Sequence, residues 1–181
     1  MANVYDVANF FIDIANKSAD DSITNLKLNK LLYFAQGVFL ARTGKVLFND
    51  KISAWEFGPV VPAIYRKYSP CGKHPIECVD ASFNGGSFTE EELGVLLDVM
   101  REVGQYTGSK LVSITHQQGT PWSEVYEQGK KHIIGNSSMK EYFTKHPIRA
   151  FSVPTTTEVV RVLPKDWYDP SEDDEWKAYL K

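Results

Sequence analysis

Cysteine is scarce in this chain, with two in 181 residues. A chain of this length buries roughly 70% of the surface that its unfolded form exposes, so its core needs neither disulfides nor a metal. The two thiols are therefore optional chemistry. Positive charge is not in excess either: 20 Lys+Arg stand against 23 Asp+Glu, a net charge of −3. Six of the acids (Asp166, Asp169, Glu172, Asp173, Asp174 and Glu175) lie in the last 16 residues, which leaves the body near neutral. Such a body lacks the basic footprint of a nucleic-acid binder, with only local patches at Arg66-Lys67 and Lys130-Lys131-His132. Long hydrophobic runs are missing as well. The most apolar stretch, Leu31 to Ala41, contains Gln36 and is about half the length of a membrane span. The start, Met1 to Asp6, has no basic region ahead of an apolar one, so it does not read as a signal peptide. These absences predict a cytoplasmic protein without membrane association. With 43% hydrophobic and 24% charged residues, one compact domain is the expectation.

What is present is mostly helical patterning. Val4, Val7, Ala8, Phe11, Ile14 and Ala15 recur at steps of three and four, which predicts a first helix to about Lys17. Thr24 is a suitable N-cap and Gly44 a suitable stop for a second helix of five turns, Asn25 to about Thr43. That helix is apolar over most of its circumference and reads as a central pillar. Its exception is a polar ridge, Asn25, Asn29, Tyr33 and Gln36, beside Lys30. Polar groups on a buried helix must meet partners or water.

Runs Lys45 to Phe48 and Ile52 to Phe57, joined by Asn49-Asp50-Lys51, predict an antiparallel hairpin ended by Gly58-Pro59. In that reading Trp55 and Phe57 share one face of the strand and Glu56 takes the other, within reach of Lys27 or Lys30. Pro62 opens a third helix to about Tyr68. Residues 71 to 88 read as a long loop with one strand around Ile76 to Val79. A capping box at Thr89/Glu92 starts a fourth helix. Ser109 caps a short fifth, Thr120-Pro121 opens a sixth, and a second capping box at Ser138/Glu141 starts a seventh that ends before Pro147. Beyond Ile148 the texture turns β-branched, then acidic and aromatic, which predicts a C-terminal β segment and an arm. The whole is an α+β domain, mainly α-helical, with residues 1–147 as the main body and 148–181 as the C-terminal β segment and arm.

Catalytic and metal patterns are weak. Cys71, His74 and Cys78 have ligand-like spacing but no fourth ligand nearby, so free thiols in a loop are the better reading, with no metal or cofactor. Residues 104–110 have glycines, serine and lysine in the wrong order for a phosphate loop. No nucleophile elbow is present, and no pair of carboxylates is placed for acid–base work. These features point away from an enzyme.

Two blocks are more specific. The first is Ile23-Thr24-Asn25-Leu26-Lys27-Leu28-Asn29-Lys30-Leu31-Leu32-Tyr33-Phe34-Ala35-Gln36-Gly37, continuing to Ala54-Trp55-Glu56-Phe57-Gly58-Pro59-Val60-Val61-Pro62 and Tyr65. The second is Leu111-Val112-Ser113-Ile114-Thr115-His116 with Pro121-Trp122. Over about residues 4 to 130 the chain resembles the Panacea, or SocA-like, antitoxin family, which is also found as phage-associated proteins. The resemblance implies a protein-binding antitoxin that neutralises a cognate toxin encoded beside it. In one branch of the family the antitoxin instead delivers its toxin to the ClpXP protease, and regulation through DNA is a further alternative. Motif matches imply partner-binding roles for Lys27, Asn29, Lys30, Tyr33, Gln36, Trp55, Glu56, His116 and Trp122. Asn29 stands where relatives commonly carry glutamine. The same residues, Trp55 and Trp122 above all, serve equally as core, and the sequence leaves both readings open.

Overall fold

The computed structural model describes residues 1–17 and 22–148; the expected C-terminal β segment and acidic arm lie outside the described residues. The centre of the fold is α2 (Asn25–Thr43). Thr24 Oγ1 accepts the Lys27 N–H at its start, and Gly44, with φ +74°, ends it in the left-handed conformation that glycine adopts without penalty. Fifteen consecutive or near-consecutive residues from Asn25 to Leu40, Leu26 alone excepted, are buried, so its neighbours surround it.

Those neighbours are α1 (Val4–Asn16), α3 (Pro62–Tyr68), α4 (Glu90–Glu102), α5 (Gly108–Thr115) and α7 (Asn136–Lys145), with the short α6 (Pro121–Val125) set against α7. The hydrophobic core runs continuously through them, from Val7 and Phe11 through Leu31 and Phe34 to Leu96, Leu111 and Phe143. The capping box at the start of α4 is formed in full: Thr89 and Glu92 satisfy each other's backbone N–H groups. The mainly helical α+β class holds.

Four local expectations are corrected. The hairpin is shifted: β1 (Ser53–Trp55) pairs with β2 (Gly58–Val60), and the turn is Glu56-Phe57. Residues 45–48 do not pair with β1, because their backbone groups are taken by the Gln36 side chain and by Ala2. The outer edge of β1 is instead occupied by residues 132–134, through Ala54 N–H to His132 and Ile134 N–H to Ile52, both at 2.8 Å. Ile76 to Val79 is loop; the Ile76 N–H is satisfied by the Ile23 carbonyl, not by a strand. The cap of α5 is Thr107, which accepts from Lys110 N–H. Finally, α7 begins at Asn136, so Ser138 lies inside it. There Ser138 donates to Glu124 and Glu141 pairs with Lys145, in place of a capping box.

The most extensive helix packing in this arrangement is α2 on α7, and Gly37 permits it. A Cβ built at Gly37 would lie 2.1 Å from two ring carbons of Phe143, whose ring stands edge-on to Tyr33 and Phe34. In an open helix Gly→Ala gains about 1 kcal/mol. At Gly37 the overlap reverses that sign, and Gly37→Ala is expected to destabilise the fold by about 1–3 kcal/mol. Urea unfolding monitored by circular dichroism checks this, the expected result being a lower midpoint at unchanged slope.

Candidate functional site

The polar ridge of α2 faces inward and holds the segment that carries the hairpin. Asn29 Oδ1 accepts the Val61 N–H at 2.9 Å, while its Nδ2 donates to the carbonyl and side chain of Asn25. Asn25 in turn donates to the Tyr65 carbonyl at 3.0 Å. The Gln36 amide accepts from the Leu47 and Phe48 N–H groups and donates to the Phe48 carbonyl. Lys30 is completely buried, and its Nζ donates to the Pro59 carbonyl at 3.1 Å. Each of these contacts satisfies backbone groups of a segment too irregular to satisfy its own. Lys27 and Tyr33 are buried too.

The hairpin is locked from above by the same lysine. Gly58 has φ +99°, and a Cβ there would lie 2.7 Å from Lys30 Cε and 2.9 Å from Thr115 Oγ1. Only glycine allows the turn to close over the buried ammonium. From the other side, Trp122 Nε1 donates to the Trp55 carbonyl at 2.8 Å, tying α6 to β1. His116, Trp122 and Tyr126 then form a stack: 3.7 Å and 10° between the first two rings, 4.4 Å and 18° between the second two. Lys131 Nζ sits 3.8 Å from the centroid of the Trp55 ring, and Tyr65 packs on that ring at 5.1 Å.

The nine residues singled out from sequence therefore separate into two groups. Lys27, Asn29, Lys30, Tyr33 and Gln36 are interior. Trp55 and Trp122 are 6% exposed and form the backing of a face whose outer parts are Glu56, exposed at the hairpin tip, and His116, half-buried at the end of α5. Glu56 does not meet Lys30, whose ammonium is committed to Pro59; it lies instead beside Tyr126. Burial first, and the Glu56 carboxylate second, hold the Tyr126 phenol above its usual value. Tyr126 and Lys131 were missed. Tyr126 stands four residues after Trp122, a helical spacing that places the two rings together, whereas Lys131 lies in a loop that carries no periodicity.

Burial governs the two bases of the face. Burial lowers the Lys30 pKa to about 7. Burial, and then the charge of Lys30, lower His116 to about 3, and its Nε2 makes no hydrogen bond among the described residues. Cys71 is half-buried and Cys78 exposed, and among the described residues no three His, Cys, Asp or Glu side chains converge as metal ligands would. No described helix is long and apolar enough to cross a membrane.

Residues 28–123 match the family described as antitoxin SocA-like, Panacea domain, a span that contains most of the ridge, the whole hairpin and the His116–Trp122 pair. The chain belongs to this SocA-like Panacea family. It is 34% identical over 128 residues to antitoxin SocA of Caulobacter vibrioides (strain NA1000 / CB15N), covering 66% of this chain and 68% of that protein. No solved structure matches it. The Panacea span stops at residue 123, so Tyr126, Lys131 and all of α7 belong to the part of the chain that the family description does not cover.

Both buried bases tie stability to pH. Each has a folded-state pKa below its ordinary value, so the unfolded chain binds the proton first and stability is lost as pH falls through the interval between the two. For Lys30 that interval runs from 10.5 down to about 7, and for His116 from 6.5 down to about 3. The melting temperature is expected to climb from pH 7 to 9.5 while Lys30 titrates. Lys30→Met flattens that climb and, by removing the charge that helps lower His116, also shortens the acid limb, while His116→Phe flattens the acid limb only. Scanning calorimetry across pH 4 to 9.5 on the three proteins measures both.

Proposed function

We propose that this protein is an antitoxin that neutralises a toxin encoded beside it by binding it directly, so that activity is lost by occlusion. The family and the named relative support the antitoxin role. The observation that carries the binding mechanism is the hairpin tip. Glu56 projects from a two-residue turn whose strands are bonded to α2, to α6 and to residues 132–134, so the tip is held before any partner arrives. Such preorganisation lowers the entropy lost on association. Behind it, the stacked His116, Trp122 and Tyr126 rings supply the rigid aromatic surface on which interface energy commonly concentrates. Lys30 acts from within: it is sealed from solvent, and its work is to hold the hairpin. In this reading the ridge residues position the tip, while Glu56 and the outer edges of His116 and Tyr126 touch the toxin.

Co-expression with the protein encoded next door tests the role: rescue of growth together with co-purification is expected, and the same rescue in a host lacking ClpXP separates occlusion from delivery to a protease. A harmless neighbour, or one tolerated equally well without this chain, overturns the antitoxin reading. Glu56→Arg tests the face. Because Glu56 is exposed, its folding stability is expected to change by no more than about 0.5 kcal/mol. Toxin affinity is expected to drop about tenfold or more, as when a like charge is placed against a matched one. Unchanged affinity at unchanged stability removes Glu56 from the interface.

A further inference from the structure

The outward face of α4 carries two residues that the fold of one chain does not explain. Gly94 lies inside the helix, is exposed, and a Cβ built there would meet no neighbouring atom within 4 Å. No contact within the chain requires a glycine at that position, in contrast to Gly37, where the Phe143 ring fills the space. A glycine in an exposed helix interior weakens the helix relative to alanine, so Gly94 costs stability for no gain in packing within the chain. About one turn further on, Leu97 is 47% exposed. A single exposed leucine is ordinary. This one stands beside an open glycine, so the helix surface offers a knob next to a hole.

The same face continues in both directions. Glu90, Gly94, Leu97 and Arg101 are all exposed and recur at steps of four, three and four, the spacing of a coiled-coil seam. These positions are symmetric about a point between Val95 and Leu96, both of which are buried on the core side of the helix. Turning the helix end for end about that point exchanges Glu90 with Arg101 and Gly94 with Leu97. The face is therefore complementary to itself: acid meets base at both ends, and leucine meets glycine on either side of the centre. Both charges have capacity to spare. Glu90 makes no ion pair among the described residues. Arg101 spends Nε on Glu102 at 3.1 Å and one terminal nitrogen on Asp98 at 2.6 Å, which leaves its other terminal amino group to donate.

We propose that this face binds a second copy of the chain, with α4 packed antiparallel on α4 of that copy about a two-fold axis. In a two-fold interface the same patch serves on both sides, so each patch must complement itself, as this one does. Leu97 of each copy seats over Gly94 of the other, where the missing side chain lets the two axes approach to the short end of the roughly 8–10 Å range of packed helices. Glu90 of each copy meets Arg101 of the other, which gives two ion pairs. A partner of unrelated sequence has no need of this symmetry. One pair of helices, each about 20 Å long, buries less than the roughly 800 Å² per partner of a standard interface, so the association is weak and reversible. α4 contributes none of the residues of the hairpin face, so the inference stands apart from the antitoxin reading.

Sedimentation equilibrium of the full chain, from micromolar to millimolar concentration, is expected to show a reversible monomer–dimer step with an upper-micromolar dissociation constant. Glu90→Arg and Arg101→Glu are each expected to weaken it about tenfold, since the two-fold axis makes each substitution place two like-charge contacts across the interface. An equal mixture of these two variants is expected to recover association, because every like-charge contact then becomes an opposite-charge one. Gly94→Gln is expected to raise the melting temperature of the dilute chain, glutamine being the better helix former, while weakening the dimer about tenfold by blocking the approach of Leu97. A glycine without a packing role gives the first effect alone. A chain that stays monomeric at millimolar concentration, a dimer indifferent to both charge reversals, a mixture that associates no better than its components, or a Gly94→Gln dimer as tight as the parent each overturn the proposal. A neighbouring toxin that binds both charge variants more weakly, while the parent chain alone stays monomeric, overturns it too and assigns the face to the toxin.

Discussion

A helix buried on nearly every side, yet carrying six buried amide, hydroxyl and ammonium side chains, is the constraint on which the rest of this fold depends. Hydrocarbon neighbours alone cannot accommodate α2, because each interior polar group must find a partner. The partners that Asn25, Asn29, Lys30 and Gln36 find are backbone groups of residues 47–65, a segment that turns, forms two short strands and enters a helix within about twenty residues. Neither side satisfies itself. The ridge needs the segment's carbonyls and N–H groups, and the segment, lacking a full sheet, needs the ridge. This reciprocity lets a two-stranded hairpin, marginal by itself in water, stand as a rigid feature.

The same reciprocity explains the unusual chemistry of Lys30. Its ammonium is placed where only a carbonyl meets it, under a glycine that could be no other residue, and burial drives it toward the neutral form. His116, nearby and stacked on Trp122, is held neutral by the same burial and by that lysine. A pair of buried bases with depressed pKa values is often the mark of a catalytic centre. Lys30 is closed off and bonded to the backbone, so its shifted pKa reflects an architectural role.

Much of this was legible in the chain. The limits of α2 follow from Thr24 and Gly44, that of α4 from the Thr89/Glu92 box, and the existence of a buried polar ridge from the spacing of Asn25, Asn29, Tyr33 and Gln36. The motifs also carried the family. Two of the four errors share one cause. Residues 45–48 have strand-like composition, and Ser138/Glu141 has the spacing of a capping box, but in each case other side chains compete for the same hydrogen-bonding groups: Gln36 in the first, Glu124 and the i+4 neighbour Lys145 in the second. Local patterns report which groups are available, not which competitor reaches them.

The linear chain by itself determined the helical periodicity, the caps, the turn glycines and the requirement that the α2 ridge find partners, because these follow from backbone sterics and from the cost of an unsatisfied dipole. It also determined which family the chain joins. Only the tertiary structure decided that the ridge points inward and that Glu56 stands at the tip beside Tyr126 and not against Lys30. Those outcomes depend on which surfaces meet across tens of residues, and the period of a single helix carries no record of its neighbours.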